Sequence, residues 1–100
     1  MAKVIFTTTY EVLPAARGAY LSLAEEMKNY FQNTQNKDFN IYELRGKKNV
    51  FSEVFVCQNE EEYEVLEDTM DDEWQRLLQR LQAYMIEGKT QYSVLVETGQ

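Results

Sequence analysis

Apolar residues change their spacing four times along this chain, and the order of those changes restricts its fold more than any other feature. Residues 3 to 12 are rich in β-branched and aromatic types, with Val4, Phe6, Thr8 and Tyr10 on one side of an expected strand. Pro14, the single proline, follows at a helix start, where its missing N–H costs nothing. From Ala15 to about Gln32 the spacing switches to threes and fours. Ala16, Ala19, Tyr20, Leu23, Met27, Tyr30 and Phe31 then make one helical stripe. Gly18 would mark a close approach of this helix to the sheet. The polar run from Asn33 to Asp38 stops it.

Phe39 to Arg45 and Val50 to Cys57 flank Gly46-Lys47-Lys48-Asn49 and read as a hairpin with a basic tip. With Lys47 and Lys48 at the tip, Arg45 opposes Val50, Glu43 opposes Ser52 and Ile41 opposes Val54. One face of the hairpin then carries Phe39, Ile41, Val54 and Val56, with Glu43 and Ser52 near the turn. The other carries Tyr42, Leu44, Phe51, Glu53 and Phe55. Asn59 with Glu62 is a capping-box-like start, and Glu60, Glu61 and Glu62 suit the positive end of a helix. Helical spacing continues from Tyr63 through Trp74 to Tyr84 and Met85. Thr69 or Asp71 offers a second cap inside that stretch, and Gly88 its end. Thr90 to Glu97 closes the chain as a strand. The order β-α-β-β-α-β over residues 1–100 predicts a single α+β domain of the ferredoxin-like type. Its four-stranded antiparallel sheet would carry both helices on one face.

Two helices cover one face of such a sheet, yet both faces of the expected hairpin are apolar. A bare face of Phe39, Ile41, Val54 and Val56 exceeds what a soluble monomer usually leaves open. The expected remedy is a homodimer packed sheet to sheet, with Glu43 and Arg45 pairing across the interface; the alternative is a hairpin register shifted by one residue, which would reshuffle the faces. On the other face Glu53 would sit among Tyr42, Phe51 and Phe55. A carboxylate among aromatics is a candidate general acid or base, with the Tyr42 phenol orienting a small apolar or aromatic ligand. Trp74 falls in the apolar helical stripe and could cap that ligand.

Composition narrows the chemistry. Seventeen acidic against 10 basic residues give a net charge of −7, which opposes binding to nucleic acids and anionic membranes. The element order is shared with RNA-recognition motifs, and Lys47-Lys48 before Phe51 and Phe55 is superficially like their stacking strand. The glycines of that motif are missing, and no nucleic-acid partner is expected. The chain has no histidine, which removes imidazole catalysis and imidazole metal sites. Its acidic run from Glu60 to Glu73 lacks the ligand spacing and glycine of a calcium loop, so no metal and no cofactor is expected. Cys57 is the single cysteine, no apolar run is long enough to span a bilayer, and Met1-Ala2-Lys3-Val4 leads straight into a strand. A soluble cytoplasmic protein is the expectation.

The element order, together with the stretch from Glu53 through Val54-Phe55-Val56-Cys57-Gln58-Asn59 to Glu60-Glu61-Glu62-Tyr63, resembles the dimeric α/β-barrel superfamily. That group includes antibiotic-biosynthesis-type monooxygenases. The resemblance implies two ferredoxin-like subunits facing each other through their sheets. It implies a cavity lined at Phe55, where members often carry tryptophan, with an acidic residue at Glu53. Cofactor-independent oxidation or isomerisation is the chemistry it implies. The monooxygenase-like members usually place a histidine in the next helix, where this chain reads Tyr63-Glu64-Val65-Leu66-Glu67. Whether the protein is an enzyme is left open by its residues, and a non-catalytic assembly module is the alternative.

Overall fold

The computed structural model describes residues 2–99, so Met1 and Gln100, the ends of the expected domain, lie outside the described residues. Four strands, β1 (Val4–Glu11), β2 (Asp38–Glu43), β3 (Val50–Cys57) and β4 (Gln91–Val96), form one sheet in the order β2-β3-β1-β4. Every neighbouring pair is antiparallel. The helices are α1 (Arg17–Asn29), α2 (Glu60–Glu64) and α3 (Asp72–Gln82). All three meet the same side of the sheet: Tyr20 of α1 packs on Phe51, Tyr63 of α2 on Phe6, and Trp74 of α3 on Phe55. Those three phenylalanines share one face, because Phe6 pairs with Phe55 and strand side chains alternate. This is the ferredoxin-like α+β fold expected from the element order.

Local chemistry explains the boundaries. Pro14–Ala16 forms a 3-10 turn that leads into α1. The last turn, Tyr30–Thr34, widens to π-helical form, and it buries two consecutive aromatics, Tyr30 and Phe31. Adjacent residues on an α-helix point about 100° apart, so a wider turn helps both to face inward. Phe31 becomes the hub of the core, with ring centroids 4.6 Å from Phe39, 4.7 Å from Trp74, 5.0 Å from Tyr30 and 5.1 Å from Phe55. The Asn59 side chain accepts the amide of Glu62 at 2.8 Å and caps α2.

The long second helix is broken. A 3-10 turn at Leu66–Thr69 separates α2 from α3, and Asp71 caps α3 by accepting the Trp74 amide at 2.9 Å. Tyr30 donates a short hydrogen bond to the same carboxylate, which ties the end of α1 to the start of α3. The helix ends at Gln82, six residues before Gly88, because Met85 bridges to Val12 and the Ile86 amide donates to the Glu11 carbonyl. Gly88 instead serves a turn at φ +77°. Gly18 touches nothing: a Cβ there would meet open space, so no close approach explains it.

The hairpin register differs by one residue from the sequence-based pairing. Glu43 opposes Phe51, Ile41 opposes Glu53 and Phe39 opposes Phe55. The cause lies in the turn, where Gly46 and Asn49 take positive φ and the Leu44 amide, not that of Arg45, bonds to Val50. The Asn49 amide donates to Glu43 Oε2, and Arg17 clasps the same carboxylate through two nitrogens. One extra loop residue exchanges the two faces of β2. Phe39, Ile41 and Glu43 therefore point toward the helices, whereas Asn40, Tyr42, Ser52, Val54 and Val56 share the outer face.

Candidate functional site

Glu53 occupies the middle of β3, on the helix-bearing face, and is 8% exposed. β-strand alternation dictates this position: Phe51, Glu53, Phe55 and Cys57 all face inward while Ser52, Val54 and Val56 face out. A lone carboxylate in such a row needs a partner. It finds one on β1, where the Tyr10 hydroxyl donates to Glu53 Oε2 at 2.5 Å. Tyr10 has one proton and gives it to Glu53, so Tyr20 of α1 must be the donor in the 2.7 Å contact between the two phenols. Tyr20, Tyr10 and Glu53 thus form a directed, buried chain of hydrogen bonds.

Its electrostatics follow from desolvation. Burial pushes the Glu53 carboxyl up to about 7, and the Tyr10 hydrogen bond only partly opposes this. Burial likewise raises the Tyr10 phenol far above its usual value, with the Glu53 charge adding to the effect. Tyr20 is raised by burial as well. Among the described residues Tyr10 is the only hydrogen-bond donor to this carboxyl, and no fully enclosed side-chain oxygen lacks a partner. Oε1 therefore reaches open space.

That space is a cavity of about 330 Å³ between the sheet and the helical layer. Tyr10, Glu53 and Phe55 form its floor, Leu66, Trp74 and Leu81 its buried helical wall, and the exposed Glu67 and Gln82 part of its rim. Phe6 links floor to rim, lying 6.4 Å from both Phe55 and Tyr92 in near-parallel stacks. The volume sits at the lower end of the range for small-ligand pockets. No three metal-ligating side chains converge among the described residues. A buried carboxyl that can gain or lose a proton near neutral pH, open on one oxygen to an apolar chamber, can anchor a polar group or transfer a proton.

Glu53, Phe55 and Trp74, three of the four residues singled out for ligand contact, line this cavity together. Tyr42 does not. It pairs with Ser52 on the outer face of edge strand β2 and is 56% exposed, a direct result of the shifted register. The expected interface set is also divided. Phe39 is buried between Phe31 and Phe55, and Ile41 packs against the core. Glu43 pairs within the chain with Arg17 and is held at about 2 by that guanidinium and by the Asn49 amide. Arg45 lies exposed in the turn, leaving Val54 and Val56 on the outer face. Tyr10 and Tyr20 were not singled out from the sequence. Their places on the inward face of β1 and in the apolar stripe of α1 carried the signal, but a phenol in such a row is indistinguishable from packing.

No protein-family model matches this sequence, and no curated protein matches it. Its fold does match solved structures. A conserved protein from Methanosarcina mazei Go1 superposes with a TM-score of 0.80 at 10% identity, over 98% of this chain and 95% of that one. SnoaB, a cofactor-independent oxygenase from Streptomyces nogalater, gives 0.73 at 12% identity, over 98% and 95%. A NIPSNAP domain protein from Burkholderia xenovorans gives 0.74 at 14% identity, over 96% and 95%. The fold is that of the antibiotic-biosynthesis-monooxygenase-like structures. At such identities the likeness establishes the fold alone. Among the described residues no helix is long and apolar enough to cross a membrane.

Proposed function

We propose that this protein binds a small, flat, apolar or aromatic molecule in the cavity between sheet and helices, with its polar group against Glu53. One observation carries the reading: a nine-tenths-buried carboxyl opens a single free oxygen onto a chamber walled by Phe6, Phe55, Trp74 and leucines. The volume of about 330 Å³ holds on the order of ten waters, which an apolar ring would displace from apolar walls. Thermal unfolding with indole and 2-naphthol is the test. Ligand at about 100 times its Kd stabilises by about 2.7 kcal/mol, which raises Tm by roughly 10 °C or more in a domain of this size. Leu78→Trp, which fills the cavity from α3, should abolish the rise. No shift with either compound, or an equal shift in the filled variant, would remove the reading.

Proton-transfer catalysis is the second reading, favoured by the Tyr20–Tyr10–Glu53 chain. Glu53 would act as base toward a phenol or activated C–H of the bound molecule, and Tyr10 would stabilise its ionised form. A substrate of this class should turn over at least 100-fold more slowly with Glu53→Gln while still binding.

A homodimer remains part of the proposal, on a narrower basis than the sequence suggested. Leu95 of edge strand β4 is 55% exposed and shares the outer face with Ile5, Val54 and Val56, while Tyr92, Val94 and Val96 of the same strand are 44 to 70% exposed on the helix-bearing face. Sedimentation velocity at micromolar concentration should give twice the chain mass; a monomer at all concentrations would end this part. The buried free thiol of Cys57 suits the cytoplasm, where we place the protein.

A further inference from the structure

The cavity has a charge preference built into its walls. Neither lysine nor arginine lines it, and the chain contains no histidine, yet two carboxyl groups do, Glu53 at the floor and Glu67 at the rim. Five aromatic rings, Phe6, Tyr10, Phe55, Trp74 and Tyr92, also line it. An anionic ligand would meet no counter-charge there and would face two acidic groups inside a molecule of net charge −7. A cation would meet ring faces that attract positive charge, and a carboxylate oxygen that no protein donor occupies.

We infer that the ligand is a protonated amine carried on an aromatic or apolar body, its ammonium group seated against the free oxygen of Glu53 and its body among the aromatic rings that line the cavity. This rests on the cavity being a ligand site, and adds the class of molecule it takes. Three hydrogens of an ammonium group match the site: one goes to Oε1, and the others turn toward the rim, where Glu67, Gln82 and Thr90 supply oxygens. Tyr10 stays on Oε2 and is not displaced. Binding of the cation favours the ionised carboxyl, so below neutral pH the complex forms with release of the Glu53 proton.

The groups around Glu53 leave its titration readable. Tyr10 on β1 and Tyr20 on α1 are both pushed upward from the ordinary phenol range. Glu43 on β2 is already tied to Arg17 and held at about 2. Glu67 stands at the exposed rim, α3 contributes only the neutral Gln82 as a polar lining group, and β4 contributes Tyr92 and no charge.

Calorimetric titration at pH 8 with three ligands of matched shape tests the assignment: tryptamine, 3-ethylindole and indole-3-propionate. Tryptamine should bind at least tenfold more tightly than the neutral compound, and indole-3-propionate most weakly. In Glu53→Gln the tryptamine advantage over 3-ethylindole should vanish, with a cooperative thermal melt reporting that the variant is folded. With the unaltered protein, tryptamine should bind on the order of 100-fold more weakly at pH 5 than at pH 8, as the carboxyl takes up its proton. Equal or tighter binding of the neutral or anionic compound, or a tryptamine preference that survives in Glu53→Gln, overturns the amine assignment and leaves the cavity as a ligand site. Failure of all three to bind the folded protein overturns both.

Discussion

Glu53→Gln should be more stable than the unaltered protein at pH 8 and nearly equal to it at pH 4. The carboxyl titrates at about 7 in the folded chain against 4.5 for the free group, so the folded state holds the proton more tightly than the unfolded state. Its contribution is therefore fully present below about pH 4.5 and is lost as pH rises through about 7. A gap of this size corresponds to ~3 kcal/mol between the two ends of the window. Glutamine is never ionised, accepts the Tyr10 hydroxyl on its amide oxygen, and escapes that loss. Thermal melts of both proteins from pH 4 to pH 8 should diverge steadily, reaching roughly 10 °C or more. Subtracting one curve from the other cancels Glu43, whose depressed value acts with the opposite sign and at lower pH. A variant that melts at or below the parent at pH 8 would show that the carboxyl is not held in a poorly solvated site.

Phe31→Ala should be the most damaging single truncation in the core. The ring is 3% exposed and stands at the meeting point of α1, β2, β3 and α3 through Phe39, Phe55 and Trp74. Removing a buried phenylalanine costs ~3–5 kcal/mol, the larger figure applying where neighbours cannot collapse into the space. Here the neighbours are rings packed on one another, one of them, Phe55, forming part of the floor of the cavity. Against a total stability of 5–15 kcal/mol, typical of single domains, much of the margin would go. Chemical denaturation should show a midpoint lowered with little change in slope, and Phe31→Leu should recover more than half. A loss below ~1 kcal/mol would mean that the aromatic hub packs more loosely than its centroid distances imply.

Most of the architecture was legible because each element carried its own periodicity. β1, α1, β3 and β4 follow directly from the spacing of Val4 to Tyr10, Tyr20 to Phe31, Phe51 to Cys57 and Tyr92 to Val96. Thr69 and Asp71 both offer a cap in the middle of the apolar stripe, which leaves a break before α3 open, and the fold selects Asp71. What local pattern could not supply was the pairing register. That depended on two residues in the left-handed region, Gly46 and Asn49, and on a carboxylate, Glu43, bound by Arg17 from a distant helix. One residue of slip moved Tyr42 out of the site and Phe39 into the core. It also replaced an apolar outer face on β2 with Asn40 and Tyr42, weakening the case for a buried sheet-to-sheet contact.

The candidate site was half legible for a related reason. Glu53 and Phe55 stand on the strand whose face assignment does not depend on the register, so both were found. Tyr10 and Tyr20 come from two other elements and meet Glu53 only through tertiary packing. A single chain read in order shows that three polar groups are buried, but not that they touch.

The state of the Glu53 carboxyl is the most direct test of the site as a whole. Its side-chain carbon can be followed by NMR from pH 4 to pH 9, alone and with indole saturating the cavity. A midpoint near 7 without ligand is expected, displaced once indole occupies the cavity beside Oε1. A midpoint near the ordinary 4.5 that does not respond to indole would contradict both the burial of Glu53 and its place in a ligand site.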